Sequence, residues 1–391
     1  MTDQLVKGLD ILILSTQDWD YSPTRKHHFA RKFAENGNRV LYVEQQMHWL
    51  GWLVDLPAQH IRSWRWLLGP REVEPHLWVY TLPIVLPFFQ MWAAINWLNN
   101  LILLPIIRWQ LRRLGFSEPV LWTYTPHSAD FVGRLGARAA VYSCVDDFAS
   151  AKGLVNPRAI SRMEQRLIRS VNLLIVTSQA LYDSKKEGAR RVILIPNGMD
   201  VEHFSKAADT SLPVAGEISH LPHPIVGYVG RINYWIDTEL LGRIAREHPE
   251  WSVVLVGPVD QLADMRPLRG LPNVHITGRV PYDTVPDFMR AFDLCVNPYV
   301  LDGVAQHASP LKLYEYIASG KPIVSVDMPA ARQFDGLIEI SSNADEFSSL
   351  VDRLLEQPNS NAAQRMAAAR EHTWQSRFED ASRALAEVLA H

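Results

Sequence analysis

"SPLKLYEYIASGKPIVS", residues 309–325, decides the reading of this chain. Lys312 and Glu315 stand three apart in an otherwise apolar helical run. Gly320-Lys321-Pro322 then stops the helix and leads into a β-branched run. A helix that only packs onto a sheet would leave Lys312 and Glu315 as a surface pair worth a few tenths of a kcal/mol. The other reading is that the lysine and the glutamate hold a ligand.

Working outward, "PIVGYVGRI", "WSVVLVG", "NVHITGRV", "DLCVNPY" and "KPIVSVD" read as short buried strands with helices between them. The first half alternates in the same way: "DILILST", a helix "RKHHFARKFAENG" ending at Gly37, then "RVLYVEQ", "PVLWTYTP", "AAVYSCVDD" and "NLLIVTS". Such alternation predicts an α/β fold with parallel, doubly wound sheets. Residues 205–223 lack periodicity and are rich in small residues and proline, so they mark a linker. The expected organisation is an N-terminal Rossmann-like domain over 1–205, a linker over 206–223 and a second Rossmann-like domain over 224–373. The two are expected to face each other across a cleft, with a last helix over 374–391 returning to the first domain. No G-x-G-x-x-G follows the first strand, where "STQDWDYSPTRKHH" stands instead, which argues against a dinucleotide dehydrogenase.

Composition narrows the classes. With 391 residues, 47% hydrophobic and 21% charged, the chain is globular and long enough for two domains. A net charge of −3 gives no reason to expect nucleic acid. The two cysteines, Cys144 and Cys295, lie in apolar strand-like runs and read as buried free thiols, which suits a reducing cytoplasm. No metal-ligand cluster stands out, and "MTDQLVKGLDILIL" reads as a short strand rather than a signal peptide. Nine of the thirteen tryptophans fall between Trp49 and Trp122, and Leu77 to Ile107 carries no charge. Pro83, Pro87 and Pro105 interrupt that run, and Asn96, Asn99 and Asn100 share one helical face. One polar face with a wide apolar arc fits an interfacial or a buried helix better than a spanning one. A peripheral place on the inner face of the membrane is one expectation, and an N-domain core helix is the other.

Four stretches in order carry a family resemblance: "LIVTSQALYDSKKEGARRVILIPNGMDVEHF", "IVGYVGRI", "NVHITGRVPYDTVPDFMRAFDLCVNPY" and the opening stretch. Together, over roughly 172–325, they resemble the retaining nucleotide-sugar glycosyltransferases of the GT-B fold that build bacterial polysaccharides and glycolipids. "LWTYTPHSAD" and "VYSCVDDF" are similar to a teichuronic-acid-type subgroup. The resemblance implies that Glu315 accepts the ribose hydroxyls of a nucleotide and that Arg231 takes its diphosphate. It also places Gly230, Val280, Ser309, Leu311 and Lys312 on the donor side. A guanidinium forks onto phosphate oxygens and keeps its charge, which suits that role. Three positions depart from the family pattern. His307 stands eight before Glu315 where a glutamate is usual, Pro310 stands five before where a glycine is usual, and no lysine follows the Gly-Arg loop in "INYWIDTE". Lys312 would supply the missing charge.

On the first domain, the resemblance puts His127, after "VLWTYTP", against the donor sugar; a neutral loop histidine is the plainer reading. Asp146 and Asp147 end a strand and could orient an acceptor hydroxyl or cap a helix. Arg25, Lys26, His27 and His28 could receive an acceptor phosphate or form a solvated basic face. The expectation is transfer of a sugar from a nucleotide diphosphate sugar to a sugar or lipid-linked acceptor. Configuration would be retained, with His127, Arg231 and Lys312 as catalytic groups and no metal or cofactor. A nucleotide-sugar epimerase of the same fold and a non-catalytic membrane-surface protein stand as alternatives.

Overall fold

The computed structural model describes residues 5–49, 64–150, 155–301, 306–357 and 361–390. Trp52, within the tryptophan-rich stretch, and His391, at the end of the expected returning helix, lie outside the described residues.

The chain divides into two compact units, with breaks after Pro196 and after Ser376. Unit 1 is built on β1 (Asp10–Leu14), β2 (Arg39–Val43), β3 (Arg71–Glu74), β4 (Leu77–Tyr80), β5 (Val120–Thr123), β6 (Ala139–Cys144), β7 (Leu173–Val176) and β8 (Val192–Leu194). Their order in the sheet is β3-β4-β2-β1-β5-β6-β7-β8. Every pairing is parallel except the β3–β4 hairpin at the edge. Unit 2 carries β9 (Ile225–Val229), β10 (Ser252–Val256), β11 (Val274–Gly278), β12 (Leu294–Asn297), β13 (Ile323–Val326) and β14 (Glu339–Ser341). These run parallel in the order β11-β10-β9-β12-β13-β14. The continuous apolar runs arise because the central strands are covered on both faces: β1, β5, β9 and β12 are buried at every residue. Cys144 and Cys295 are both free and buried within these sheets.

Residues 206–223 are not a spacer. Ala207, Ile218 and Leu221 enter the unit 2 core, and Arg290 donates to the Lys206 carbonyl at 2.8 Å and to that of Pro213. Phe204 lies in the same core, so the boundary falls at 196/197 instead of 205. Small residues and proline hid this packing, since three well-spaced apolar side chains suffice to anchor a loop that has no periodicity.

The helix Trp374–Leu389 runs across the second break. Its start belongs to unit 2, where Trp374 N–H donates to the Met199 carbonyl at 3.3 Å. Its remainder belongs to unit 1: Phe378 packs edge-on against Phe29 and Phe33, and Ser382 Oγ accepts from Val6 N–H at 2.9 Å.

The helix Ala93–Arg113 is inverted relative to an ordinary surface helix. Its buried side presents Asn96, Asn99, Asn100 and Gln110 beside Leu103, Leu104, Ile107 and Leu111. The asparagines face inward because backbone needs them there. Asn96 and Asn100 both donate to the His127 carbonyl, at 3.0 and 2.8 Å, and Asn99 exchanges two bonds with the Leu86 backbone. Its outer side is apolar, with Trp92 62%, Trp97 48%, Leu101 47%, Ile102 51% and Trp109 57% exposed. Among the described residues no helix is long and apolar enough to cross a membrane.

Candidate functional site

In unit 2 the strand order reverses between β9 and β12, because β9 connects to β10 on one side and pairs with β12 on the other. Ligands of open parallel sheets sit at the carboxyl ends of strands at such a point. The opening stretch of sequence converges there. The helix Leu311–Ser319 begins with Lys312 at its second position, and Gly320 ends it in the left-handed conformation (φ 73°).

Lys312 is 8% exposed. Its Nζ donates to Tyr228 Oη at 2.6 Å and lies 4.5 Å and 5.2 Å from the centres of the Tyr228 and Tyr299 rings. Tyr228 Oη in turn donates to the Arg231 carbonyl at 3.0 Å. A lysine roofed by two tyrosines loses most of its hydration, and burial lowers its pKa to about 7, Glu315 pulling the other way. The half-buried Glu315 carboxyl is raised to about 7 by desolvation, opposed by Lys312 and reinforced by Asp200. Among the described residues nothing donates a hydrogen bond to that carboxyl. Both groups are therefore held where a polar ligand would relieve the cost of burial.

The glycines beside them are dictated by space. Gly230 has φ 136°, and a Cβ there would stand 2.9 Å from Lys312 Nζ. A Cβ on Gly257 would stand 2.1 Å from the Gly230 carbonyl oxygen, so the β9 and β10 ends meet only as glycines. Arg231, directly after, is largely exposed and pairs with Asp260 at 3.0 Å. Asn197 donates to the Ser309 carbonyl at 2.8 Å, which fastens the "IPNGMD" element to the start of the Lys312 helix. Leu311 is half-buried at the first turn of that helix, and Val280 is half-buried after β11.

The structure thus brings Gly230, Arg231, Ser309, Leu311, Lys312 and Glu315 to one end of the unit 2 sheet. Sequence reasoning missed Tyr228, Tyr299, Asn197 and Asp260. Tyr228 and Tyr299 sit in and just after strand runs and read as core, so only their shared contact with Lys312 reveals them.

In unit 1 the order reverses between β1 and β5. Lys26 is the second residue of the helix Arg25–Glu35, which follows β1, and its Nζ lies 5.7 Å from the centre of the Tyr124 ring, just beyond β5. Burial lowers its pKa, and the charge of Asp146 raises it. Desolvation raises the Asp146 carboxyl, with Lys26 acting against it. Arg25 is buried over the Phe29 ring and donates to the Pro196 carbonyl at 2.9 Å. His27 is buried and bonded to the Asp18 carbonyl at 3.0 Å, so it is not part of a solvated basic face.

Asp147 is engaged structurally: Lys185 links it, at 3.2 Å, to the buried Glu164, at 2.7 Å. His127 is buried, with Thr125 Oγ1 2.7 Å from its ring and Phe89 edge-on at 5.0 Å. Burial brings its pKa down to about 4, so the ring is neutral at pH 7.

Residues 223–357 match the family model described as Glycosyl transferases group 1. Over 203 residues the chain is 29% identical to TuaH of Bacillus subtilis (strain 168), named as a teichuronic acid biosynthesis glycosyltransferase; the match covers 49% of this chain and 51% of TuaH. The match therefore spans about half the length of that relative. Among solved structures, sucrose-phosphate synthase from Thermosynechococcus elongatus aligns with TM-score 0.70 and 16% identity, covering 98% of this chain and 99% of that one. A UDP-forming trehalose-phosphate synthase from Burkholderia vietnamiensis gives 0.70 and 12%, over 98% and 100%. Anabaena HepE, solved in complex with UDP and glucose, gives 0.67 and 14%, over 97% and 99%. Residues 223–357 are a glycosyl transferases group 1 domain, and the chain as a whole carries the GT-B fold.

Proposed function

We propose that the protein transfers a sugar from a nucleotide diphosphate sugar to an acceptor hydroxyl, with retention at the anomeric carbon. One observation carries the reading: at the β9/β12 reversal stand a buried lysine and a carboxyl to which nothing among the described residues donates a hydrogen bond. Glu315 accepts the two ribose hydroxyls, and Lys312 with the amides of its helix N-terminus receives the diphosphate. Arg231 exchanges Asp260 for phosphate oxygens. These charges stabilise the negative charge that grows on the departing diphosphate, which is often a large catalytic contribution. His127 is neutral at pH 7 and does not act as a charged acid. UDP is the first nucleotide to test, since the HepE structure holds it. Incubating the protein with UDP-glucose and other nucleotide sugars tests the reading: release of nucleoside diphosphate supports it. Epimerised donor without release favours the epimerase, and an untouched donor panel refutes both.

The acceptor in this proposal is lipid-linked and is met on the inner membrane face. The outward face of Ala93–Arg113 favours this: Trp92, Trp97 and Trp109 lie along an apolar stripe, and exposed Arg108, Arg112 and Arg113 cluster at one end. Tryptophan prefers the headgroup boundary, and each arginine near anionic lipid gains about 1 kcal/mol. Flotation with anionic liposomes should recover the protein, less so at high salt, and Leu101→Glu should abolish recovery. A protein that never floats, or that dimerises through this face, contradicts the lipid surface.

A further inference from the structure

We infer that unit 1 holds a second oxyanion position, built on Lys26, which takes a negatively charged group of the acceptor. The inference rests on the transferase reading, and it names the acceptor's chemistry. Both units show the same device. In each, a lysine at the second position of a helix lies buried beside the tyrosine at the end of a central strand, where the sheet order reverses. Lys312 meets Tyr228 at 4.5 Å and Lys26 meets Tyr124 at 5.7 Å. The helices are Leu311–Ser319 and Arg25–Glu35.

The two lysines differ in one respect. Lys312 has a hydroxyl partner at 2.6 Å. Lys26 is 9% exposed, and among the described residues its Nζ makes no hydrogen bond or ion pair. A largely buried ammonium whose contact is an aromatic face, with no hydrogen bond or ion pair, is costly unless a ligand completes it. The helix N-terminus around it already favours an anion, and the buried Arg25 guanidinium adds a second positive charge. Asp146 is the opposing charge nearby. It lies beyond ion-pair distance of Lys26 and retains solvent contact, so it stands ready for an acceptor hydroxyl while Lys26 takes the anion. The ligand chemistry is an oxyanion that is either a phosphate ester or a sugar carboxylate.

Equilibrium dialysis of the full chain tests this, against inorganic phosphate and separately against glucuronate, with UDP saturating so that the Lys312 position is filled. The expected result is one saturable site for at least one anion. It should weaken at least tenfold in Lys26→Gln and Lys26→Met, persist in Lys26→Arg, and be indifferent to Arg231→Ala. Preference for phosphate or glucuronate identifies which oxyanion the acceptor carries. Equal binding in wild type and Lys26→Gln, or no saturable binding of either anion, overturns the inference. Failure of UDP itself to bind overturns the donor reading instead, and Lys26-dependent anion binding would remain readable without it.

Discussion

Replacing Lys312 by Met should make the empty protein more stable and the nucleotide complex weaker. The fall in pKa from 10.5 to about 7 reflects burial of the ammonium. It corresponds to about 5 kcal/mol against the charged form in the folded state. Methionine fills similar space without that charge, but it forfeits the bond to Tyr228, worth about 1–3 kcal/mol. The net gain is about 2 kcal/mol or more, a rise in Tm of several degrees for a unit of this size. The sign depends on pH. The unfolded lysine keeps its proton up to about 10.5 and the folded one releases it near 7, so the penalty is complete below pH 7 and fades as pH rises to 10.5. The variant's advantage at pH 6.5 should shrink by about 3 kcal/mol at pH 9.5. Nucleoside diphosphate affinity should fall roughly 10- to 100-fold, because one charge-assisted bond to phosphate is lost. Thermal unfolding at both pH values and calorimetric titration with UDP measure the two effects. A variant that is less stable at both pH values and binds UDP as tightly as wild type would refute this reasoning.

Two further outcomes are expected. Transfer should survive EDTA, since Arg231 and Lys312 carry the charge; complete loss restored by Mg²⁺ or Mn²⁺ would contradict that assignment. Arg365 is 1% exposed and donates to the Gly320 carbonyl at 3.0 and 3.1 Å and to that of Leu337 at 3.2 Å. Arg365→Leu leaves those carbonyls unpaired and should cost about 2–4 kcal/mol, read as a lower denaturant midpoint with unchanged slope.

The strands of both sheets were legible because parallel strands covered on two faces read as unbroken apolar runs, as in Asp10–Leu14 and Ser252–Val256. The helix Leu311–Ser319 was equally plain, since Gly320 and Pro322 fix its end. The edge hairpin β3–β4 was not: "REVE" is charged and only partly buried, so it carries no strand signal. The asparagine face of Ala93–Arg113 was visible, but its inward direction was not, because spacing reveals faces and not what they meet. At the candidate site, Lys312 and Glu315 were readable from the family resemblance of their helix, whereas Tyr228 and Tyr299 become partners only through pairing of β9 with β12. Lys26 and Asp147 stood equal in the sequence. The structure separates them, for Asp147 is ion-paired to Lys185, whereas Lys26 makes no ion pair or hydrogen bond among the described residues.

The most direct test of a nucleotide-sugar site at the β9/β12 reversal is calorimetric titration of UDP into wild type, Glu315→Ala and Arg231→Ala. The expected result is binding to wild type and a loss of roughly 10-fold or more in each variant, with cooperative unfolding retained, from removal of one charged hydrogen-bonding group. Equal affinity in all three proteins would contradict the site.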